Sequence, residues 1–525
     1  MFIGDYLGRR EIYSPEALAI IDAGKSPELR LTFRQLNERA NRLANWLRTS
    51  AGIGKGDRVA ILARDGVEHL DCFYACAKLG AIHTALNWRS HWRELAGIAR
   101  NTTPKVLFFS DDFKANVDEL RSALVHEGSP ILHYVHLEGG GIPGSIGYAG
   151  LAASSSPDPV TCESVTEEDI ACLLFTGGTT GLPKGAMVSH RMINWNSLNT
   201  VIHDLKRDDV YLNVFPLFHT GGLFTYTATL ITFGGTIILT RQFDPVQVLH
   251  LIERERVSVF AGVPTMYQAM AQSPAWANAN LGSLRFCTSG GAPLPVTVIE
   301  KYIQEKGVRF KQGFGMTEFG PGLFALAPED AQRKAGSIGR PNFFVDVRVV
   351  DEHNAPLGPN TVGELLLKGP SFCSGYYNDP GATAAAVDAE GWFHTGDLVR
   401  YDEEWFFFVM DRKKDMFISG GENVYPVEIE AVLYRHPAVH QCAVIGVPDD
   451  RWGEVGKACI VLKPGSSATA EDITAYLKEH LAHYKVPKTI NVLDALPLSS
   501  MGKILKRELR ARYLSPPTTN QGVPS

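Results

Sequence analysis

Thr176-Gly-Gly-Thr-Thr-Gly-Leu-Pro-Lys184-Gly185 is the stretch from which the rest of the chain is read. It follows Ile170-Ala-Cys-Leu-Leu-Phe175, a short apolar run of the kind that forms a buried strand. Gly177, Gly178 and Gly181 let the backbone turn tightly and bring its N–H groups close to a ligand. Thr176, Thr179 and Thr180 add hydroxyl donors, and Lys184 adds a positive charge. Amides, hydroxyls and one ammonium on a flexible turn suit a polyphosphate. The bland alternative is a glycine-rich hairpin loop. The mononucleotide P-loop is excluded, because it needs Gly-Lys followed by Ser or Thr. Lys184 follows Pro183 and precedes Gly185.

At 525 residues the chain is too long for one hydrophobic core, so two or more domains are expected. Hydrophobic residues make up 45% and charged residues 21%, an ordinary balance for a globular enzyme. The net charge of −6 offers no electrostatic footprint for nucleic acid. The eight cysteines show neither Cys-x-x-Cys nor zinc spacing, and Cys72 and Cys76, four apart on an expected helix, read as packing residues. This usage fits a reducing compartment, and a cytoplasmic location is expected. Residues 1–10 lack the order of a signal peptide. The stretch 210–240 carries no Asp, Glu, Lys or Arg. It also contains Pro216, His219 and two Gly-Gly pairs, so it reads as buried helix and strand instead of a membrane span.

Helices and strands alternate through the first part of the chain. In 31–47 the residues Leu36, Ala40, Leu43 and Leu47 keep helical spacing after a Thr cap, while 57–62 and 105–110 read as strands. This alternation predicts parallel sheets covered on both faces. Stretches 257–264 and 284–293 each run from a strand into a glycine or proline turn, where α/β sheets place ligands. From 345 to 367 the pattern shortens to alternating strands, a small β-barrel or meander. A compact α+β unit follows, and 514–525 is rich in Pro, Thr and Ser and reads as a disordered tail.

Further motifs carry chemistry. Pro216-Leu-Phe-His219 sets a histidine at a glycine turn, either a core residue or a gate. In Gln312-Gly-Phe-Gly-Met-Thr-Glu318, Phe314 offers a stacking face, Thr317 can donate to an α-phosphate, and Glu318 is a hard oxygen ligand for magnesium. Asp397 on a glycine turn can accept both hydroxyls of a ribose. The run Asp411-Arg-Lys-Lys-Asp415 is read from composition as a solvated charge run or linker.

Together these motifs, in this order, resemble the AMP-forming acyl-CoA synthetases, from about Leu31 to Arg512. The chain departs from that family's pattern at Gly177 (Ser is usual), at Phe314 (Tyr is commoner) and at Trp405 (Gly-aromatic is typical). The resemblance implies a large N-terminal α/β domain with a small β-barrel over 1–410, a hinge at 411–415 around Lys414, and a mobile α+β lid over 416–513. It implies ATP, magnesium and coenzyme A as ligands. The ATP site would be built from Thr176–Gly181, Lys184, Gly291, Ala292, Pro293, Gln312–Thr317, Asp397, Arg412 and Lys503, the last of these between carboxylate and α-phosphate. Met316 and Gly315 belong to that run. Thr176 and Glu318 would hold the metal.

His219, Val263, Gly290 and Gly315 would line the carboxylate pocket, with Trp195, Phe224, Tyr226, Met266 and Phe319 as apolar walls. Ser419, Gly420, Gly421 and Glu422 would line the path of the coenzyme A thiol arm. The expected reaction activates a carboxylic acid, with a medium- or long-chain fatty acid first and an aryl or cinnamate-like acid second. A carrier-coupled adenylation domain is disfavoured because no carrier module follows Lys503. A luciferase-type oxygenase and an inactive nucleotide-binding scaffold stay open, as does assembly into a homodimer.

Overall fold

The computed structural model describes residues 3–125, 128–176, 183–292, 294–498 and 504–514. By its contacts the chain divides into two units, Met1–Asp346 with Lys368–Trp392, and Val347–Leu367 with Phe393–Ser525. The sequence reading set its boundary at 410. The contact division groups the antiparallel strands beyond Asp346 with the C-terminal residues.

In the first unit the apolar runs form strands of two sheets. The seven-stranded sheet runs, in spatial order, Ile146–Gly147, His133–His136, Val106–Phe109, Arg58–Leu62, Ile82–Ala85, Ile170–Thr176, Lys184–Ser189. Its pairs are parallel except the last, where Lys184–Ser189 turns back antiparallel on Ile170–Thr176. Val106–Phe109 is buried at every position, as a strand covered on both faces must be. The nine-stranded sheet has five parallel pairs through Leu18–Asp22, Thr236–Leu239, Val210–Asn213, Val259–Gly262, Phe286–Gly290 and Phe310–Met316, taken in spatial order, with antiparallel strands at each edge. Helix Phe33–Thr49 starts at the expected cap: Thr32 and Gln35 form a reciprocal capping box.

The uncharged stretch 210–240 resolves into two strands and the short helices Thr220–Phe224 and Thr227–Phe233. Among the described residues no helix is long and apolar enough to cross a membrane. Under the nine-stranded sheet Phe260, Tyr302 and Phe310 meet Tyr267 edge-on at 4.9–5.7 Å. The Tyr267 hydroxyl donates to Thr288 O (2.7 Å), which fastens this core to the strand leading to Gly290. Cys72 and Cys76 are buried among Ala44, Ala75 and Leu79, the packing role expected of them.

The second unit contains a four-stranded antiparallel meander, Asp346–Val350, Gly363–Lys368, Phe393–Tyr401 and Phe407–Arg412. It also holds a five-stranded sheet around Gly453–Leu462, packed on helices Pro426–Leu433 and Ala470–His480 through Phe417, Ile429, Leu433, Ile460, Ile473 and Leu477. At the departure noted above, Trp405 adopts φ +65°, the left-handed conformation that glycine takes without strain. Its ring lies against Tyr401 and Phe407, at 5.3 and 6.0 Å, so the turn keeps a glycine's shape while carrying an aromatic.

Candidate active site

Gly177, Gly178, Thr179, Thr180, Gly181, Pro293 and Lys503 lie outside the described residues. The flanks of the glycine loop are described. Thr176 ends its strand opposite Lys184, and its hydroxyl donates to Lys184 O at 3.4 Å. The strand leaving the loop is then paired by 374–377: Ser374 N–H donates to Met187 O (2.9 Å), Met187 N–H to Gly375 O (2.9 Å), and Tyr377 N–H to Gly185 O (2.8 Å). This ladder sets the Tyr376 ring 5.1 Å from Lys184 Nζ, a cation–π contact. The Tyr376 hydroxyl donates to Glu318 Oε1 at 2.8 Å. Burial, and then the neighbouring Glu318 charge, hold that phenol well above its ordinary range, so it stays a neutral donor. Tyr376 therefore joins the exit of the glycine loop to the carboxylate of another motif. The sequence reading missed it; the available signal was Gly375-Tyr-Tyr377, aromatics beside a glycine outside every motif considered.

Glu318 sits in the turn between the antiparallel strands Phe310–Met316 and Gly320–Leu326. Cys373 N–H donates to its carbonyl (2.7 Å), so backbone and side chain are both fixed by the 373–376 segment. Thr317 beside it is buried, while Met316 is half-buried and Gly315 exposed. Gln312 works as a fastener: Oε1 accepts from Leu294 N–H (2.9 Å) and Nε2 donates to Ser337 O (3.3 Å). Phe314 meets Phe324 edge-on at 5.7 Å. Gly290 ends its strand in register with Gly313, and Gly291 follows at φ +80° before Ala292. These turns gather at the carboxyl ends of neighbouring parallel strands, where Val263 also caps helix Pro264–Gln272.

His219 caps helix Thr220–Phe224, its Nδ1 accepting from Gly221 N–H at 3.1 Å. That bond assigns the ring proton to Nε2 in the neutral imidazole. Of the expected walls, Tyr226 shares a 2.6 Å hydroxyl contact with Thr288. Phe224 lies edge-on to Phe73 at 6.0 Å, and Trp195 edge-on to Phe344 at 5.0 Å. Phe319 is 1% exposed and stacked obliquely on Phe372. With Arg191, Asp346, Lys368, Gly369 and Gly391 those two rings border a cleft of about 370 Å³. Met266 packs on the core below the Val263 turn.

In the second unit Asp397 and Arg412 face each other across neighbouring strands, with Nε to Oδ1 at 2.6 Å. Both residues expected at the ribose are thus paired and pre-oriented, Asp397 buried and Arg412 half exposed. The 411–415 run is more ordered than a solvated linker. Buried Asp411 accepts Val427 N–H (3.0 Å) at the start of helix Pro426–Leu433, which lacks a capping side chain of its own. Burial pushes the Asp411 carboxyl up, against the pull of Lys506. Lys413 pairs with Glu364 at 3.0 Å and Asp415 with Arg510. Lys414 is exposed, and the desolvation it still feels from its surroundings pushes its ammonium down.

Ser419 and Glu422 close a hairpin whose two tip residues, Gly420 and Gly421, have φ +61° and +90°, the requirement of a tight two-residue turn. Gly420 is pressed against the Trp452 ring, whereas a Cβ on Gly421 would meet nothing within 4 Å.

The sequence pattern of the AMP-binding enzyme family matches residues 11–377, and that of the AMP-binding enzyme C-terminal domain matches 428–503. The chain is 40% identical to a feruloyl-CoA synthase of an Amycolatopsis species, over 97% of this chain and 99% of that one. It is 36% identical to a long-chain-fatty-acid–CoA ligase of Mycobacterium tuberculosis, over 97% and 98%. The crystal structure of ATP-bound MatB from Rhodopseudomonas palustris superposes with a TM-score of 0.88 at 31% identity, covering 98% of this chain and 99% of that chain.

Proposed function

Because the chain belongs to the AMP-forming acyl-CoA synthetases, acid–thiol ligases that work through an acyl-adenylate, we propose that its carboxylate is an aryl or aryl-alkenoic acid of the hydroxycinnamate type. The observation that carries this is the 40% identity, over 97% of the chain, to a feruloyl-CoA synthase. The aromatic surroundings of Phe224 and Tyr226 are consistent with a flat, ring-bearing acid, and the Tyr226–Thr288 hydroxyl pair offers polar groups beside them. A medium- or long-chain fatty acid is the second reading, supported by the 36% identity to the fatty-acid ligase.

The reaction has two halves. A carboxylate oxygen attacks the α-phosphorus of ATP, a P–O bond forms, and pyrophosphate leaves. The coenzyme A sulfur then attacks the acyl carbon, and AMP leaves with the bonding pair on its phosphate oxygen.

We assign roles as follows. The glycine loop and Lys184 bind phosphates, with Lys184 oriented by the Tyr376 ring. Thr317 donates to the α-phosphate, and Asp397 accepts ribose hydroxyls while Arg412 holds its carboxylate in place. Glu318 and Thr176 present hard oxygen donors that suit magnesium, which supplies charge neutralisation at the phosphates when bound. Lys503 offsets the repulsion between the two anions that must meet and stabilises charge developing at phosphorus. His219 lines the acid pocket. The Ser419–Glu422 hairpin guides the thiol arm, and rotation about Lys414 brings Lys503 and that hairpin to the site in turn.

AMP release with ATP, magnesium and coenzyme A across ferulate, 4-coumarate, benzoate, octanoate and palmitate tests the substrate. Highest kcat/KM on ferulate or 4-coumarate is expected. A maximum on palmitate or octanoate would replace the aryl acid and keep the mechanism.

A further inference from the structure

The Pro216–His219 turn is held from outside at two points, both on the stretch 65–88. Leu217 N–H donates to Asp65 Oδ1 at 2.7 Å, across 152 residues of sequence. The Trp88 ring meets Phe218 edge-on at 6.3 Å. Within the turn, His219 N–H donates to Pro216 O (3.0 Å) and Gly222 N–H to His219 O (3.0 Å). Gly222 is pressed so closely on the Pro216 carbonyl that no side chain fits between them. Asp65 follows the strand Arg58–Leu62 and is 6% exposed. A carboxylate here reaches a backbone amide two residues before His219, which in turn caps the helix that follows.

We propose that Asp65 is a positioning residue for the acid-binding turn, setting His219 through Leu217 and loosening that turn when it takes up a proton. The proposal rests on the reading that His219 lines the acid pocket. An ionised carboxylate accepts the Leu217 N–H in a charge-assisted bond, roughly twice as strong as the bond to a neutral acceptor. Three charged groups face Asp65. Arg89 and Arg64 favour its ionised form, and Asp22 opposes it. Both arginines are already engaged with the Trp88 ring, at 4.5 and 4.8 Å, and Arg64 also with Asp112. Burial outweighs their pull and carries the Asp65 carboxyl up to about 7. The turn is therefore tightest above neutrality and slackens below it.

The test is KM for the best acid of the panel, measured from pH 6 to pH 8.5 in wild type, Asp65→Asn, Asp65→Ala and His219→Ala, with KM for ATP alongside. Asn keeps an acceptor for Leu217 N–H but cannot ionise. Wild type is expected to show KM for the acid rising several-fold as pH falls through about 7. Asp65→Asn should stay flat at the wild-type low-pH value. Asp65→Ala should lie about 10-fold above wild type at pH 8, as loss of a charged hydrogen bond predicts, with KM for ATP unmoved. A pH profile shared by wild type and Asp65→Asn, or an unchanged acid KM in Asp65→Ala, overturns the proposal while leaving the pocket assignment intact. An unchanged acid KM in His219→Ala overturns both.

Discussion

Tyr376 connects two functional groups that the sequence keeps 134 positions apart, since it carries the Lys184 ammonium on its ring and donates its hydroxyl to Glu318. Replacing Tyr376 with Phe retains the ring and removes only the donor. Adenylation kcat/KM, read by ATP–pyrophosphate exchange, should fall about 10-fold, the size of one hydrogen bond to a charged group. Thioester formation from supplied acyl-adenylate should be unaffected; equal loss in both assays would make Tyr376 a general scaffold residue.

Asp65 gives a stability prediction independent of catalysis. Its folded-state pKa, about 7, lies above the ordinary carboxylate value, so the folded protein binds more protons than the unfolded chain between those two values. The stability this contributes is complete at low pH and is lost as pH rises towards 7. Asp65→Asn should accordingly gain roughly 3 kcal/mol on wild type between pH 5 and pH 8, two pKa units at about 1.4 kcal/mol each. Urea unfolding at both pH values measures this, and a pH-independent difference would contradict the burial argument.

At the scale of elements, the motif residues sit where strands end. The hairpin of Phe310–Met316 and Gly320–Leu326 carries Thr317 and Glu318 in its turn, and Gly315 faces the backbone of Pro321. A methyl group there would collide with that backbone, which cannot give way as a flexible side chain does. Gly315→Ala should therefore displace Glu318 from Tyr376 and cost adenylation at least 10-fold, with the unfolding midpoint shifted less than by a core truncation. Unchanged pyrophosphate exchange would show that the hairpin accommodates the methyl elsewhere. The elements themselves were legible because local chemistry specifies them: the Thr32–Gln35 capping box, the buried run Val106–Phe109 and the Gly420–Gly421 turn are all properties of adjacent residues. Trp405 was legible as a departure but not in its outcome, since its left-handed φ is compensated by rings that only folding supplies.

For the whole molecule, the two half-reactions should be separable by substitution. A Cβ on Gly421 meets nothing within 4 Å, so Gly421→Leu adds bulk at the hairpin tip at the cost of a strained positive φ. Adenylate formation should survive in that variant and thioester formation should drop at least 100-fold. Lys503→Ala should do the reverse, losing adenylation by about 100-fold, as removal of an electrostatic stabiliser does, while still converting supplied acyl-adenylate. Loss of both half-reactions in both variants would contradict the proposed assignment of Lys503 to adenylation and of the Ser419–Glu422 hairpin to thioester formation.

The sequence by itself determined the family, the α/β architecture, the order of the motifs and the residue types proposed to meet ATP, because glycine turns, caps and apolar periodicity act over a few residues. It also marked Asp397 and Arg412 individually, but not that they pair across adjacent strands. The tertiary structure alone decided the long-range partnerships: Tyr376 with Glu318 and Lys184, Asp65 with the Leu217 amide, and Asp411 with the amide at the start of the Pro426 helix. Each joins groups separated in the chain through a hydrogen bond or ring contact, and the register of the sheets together with the packing of neighbouring elements brings them together. That register is set by the burial of whole strands, so no local pattern around either partner announces it.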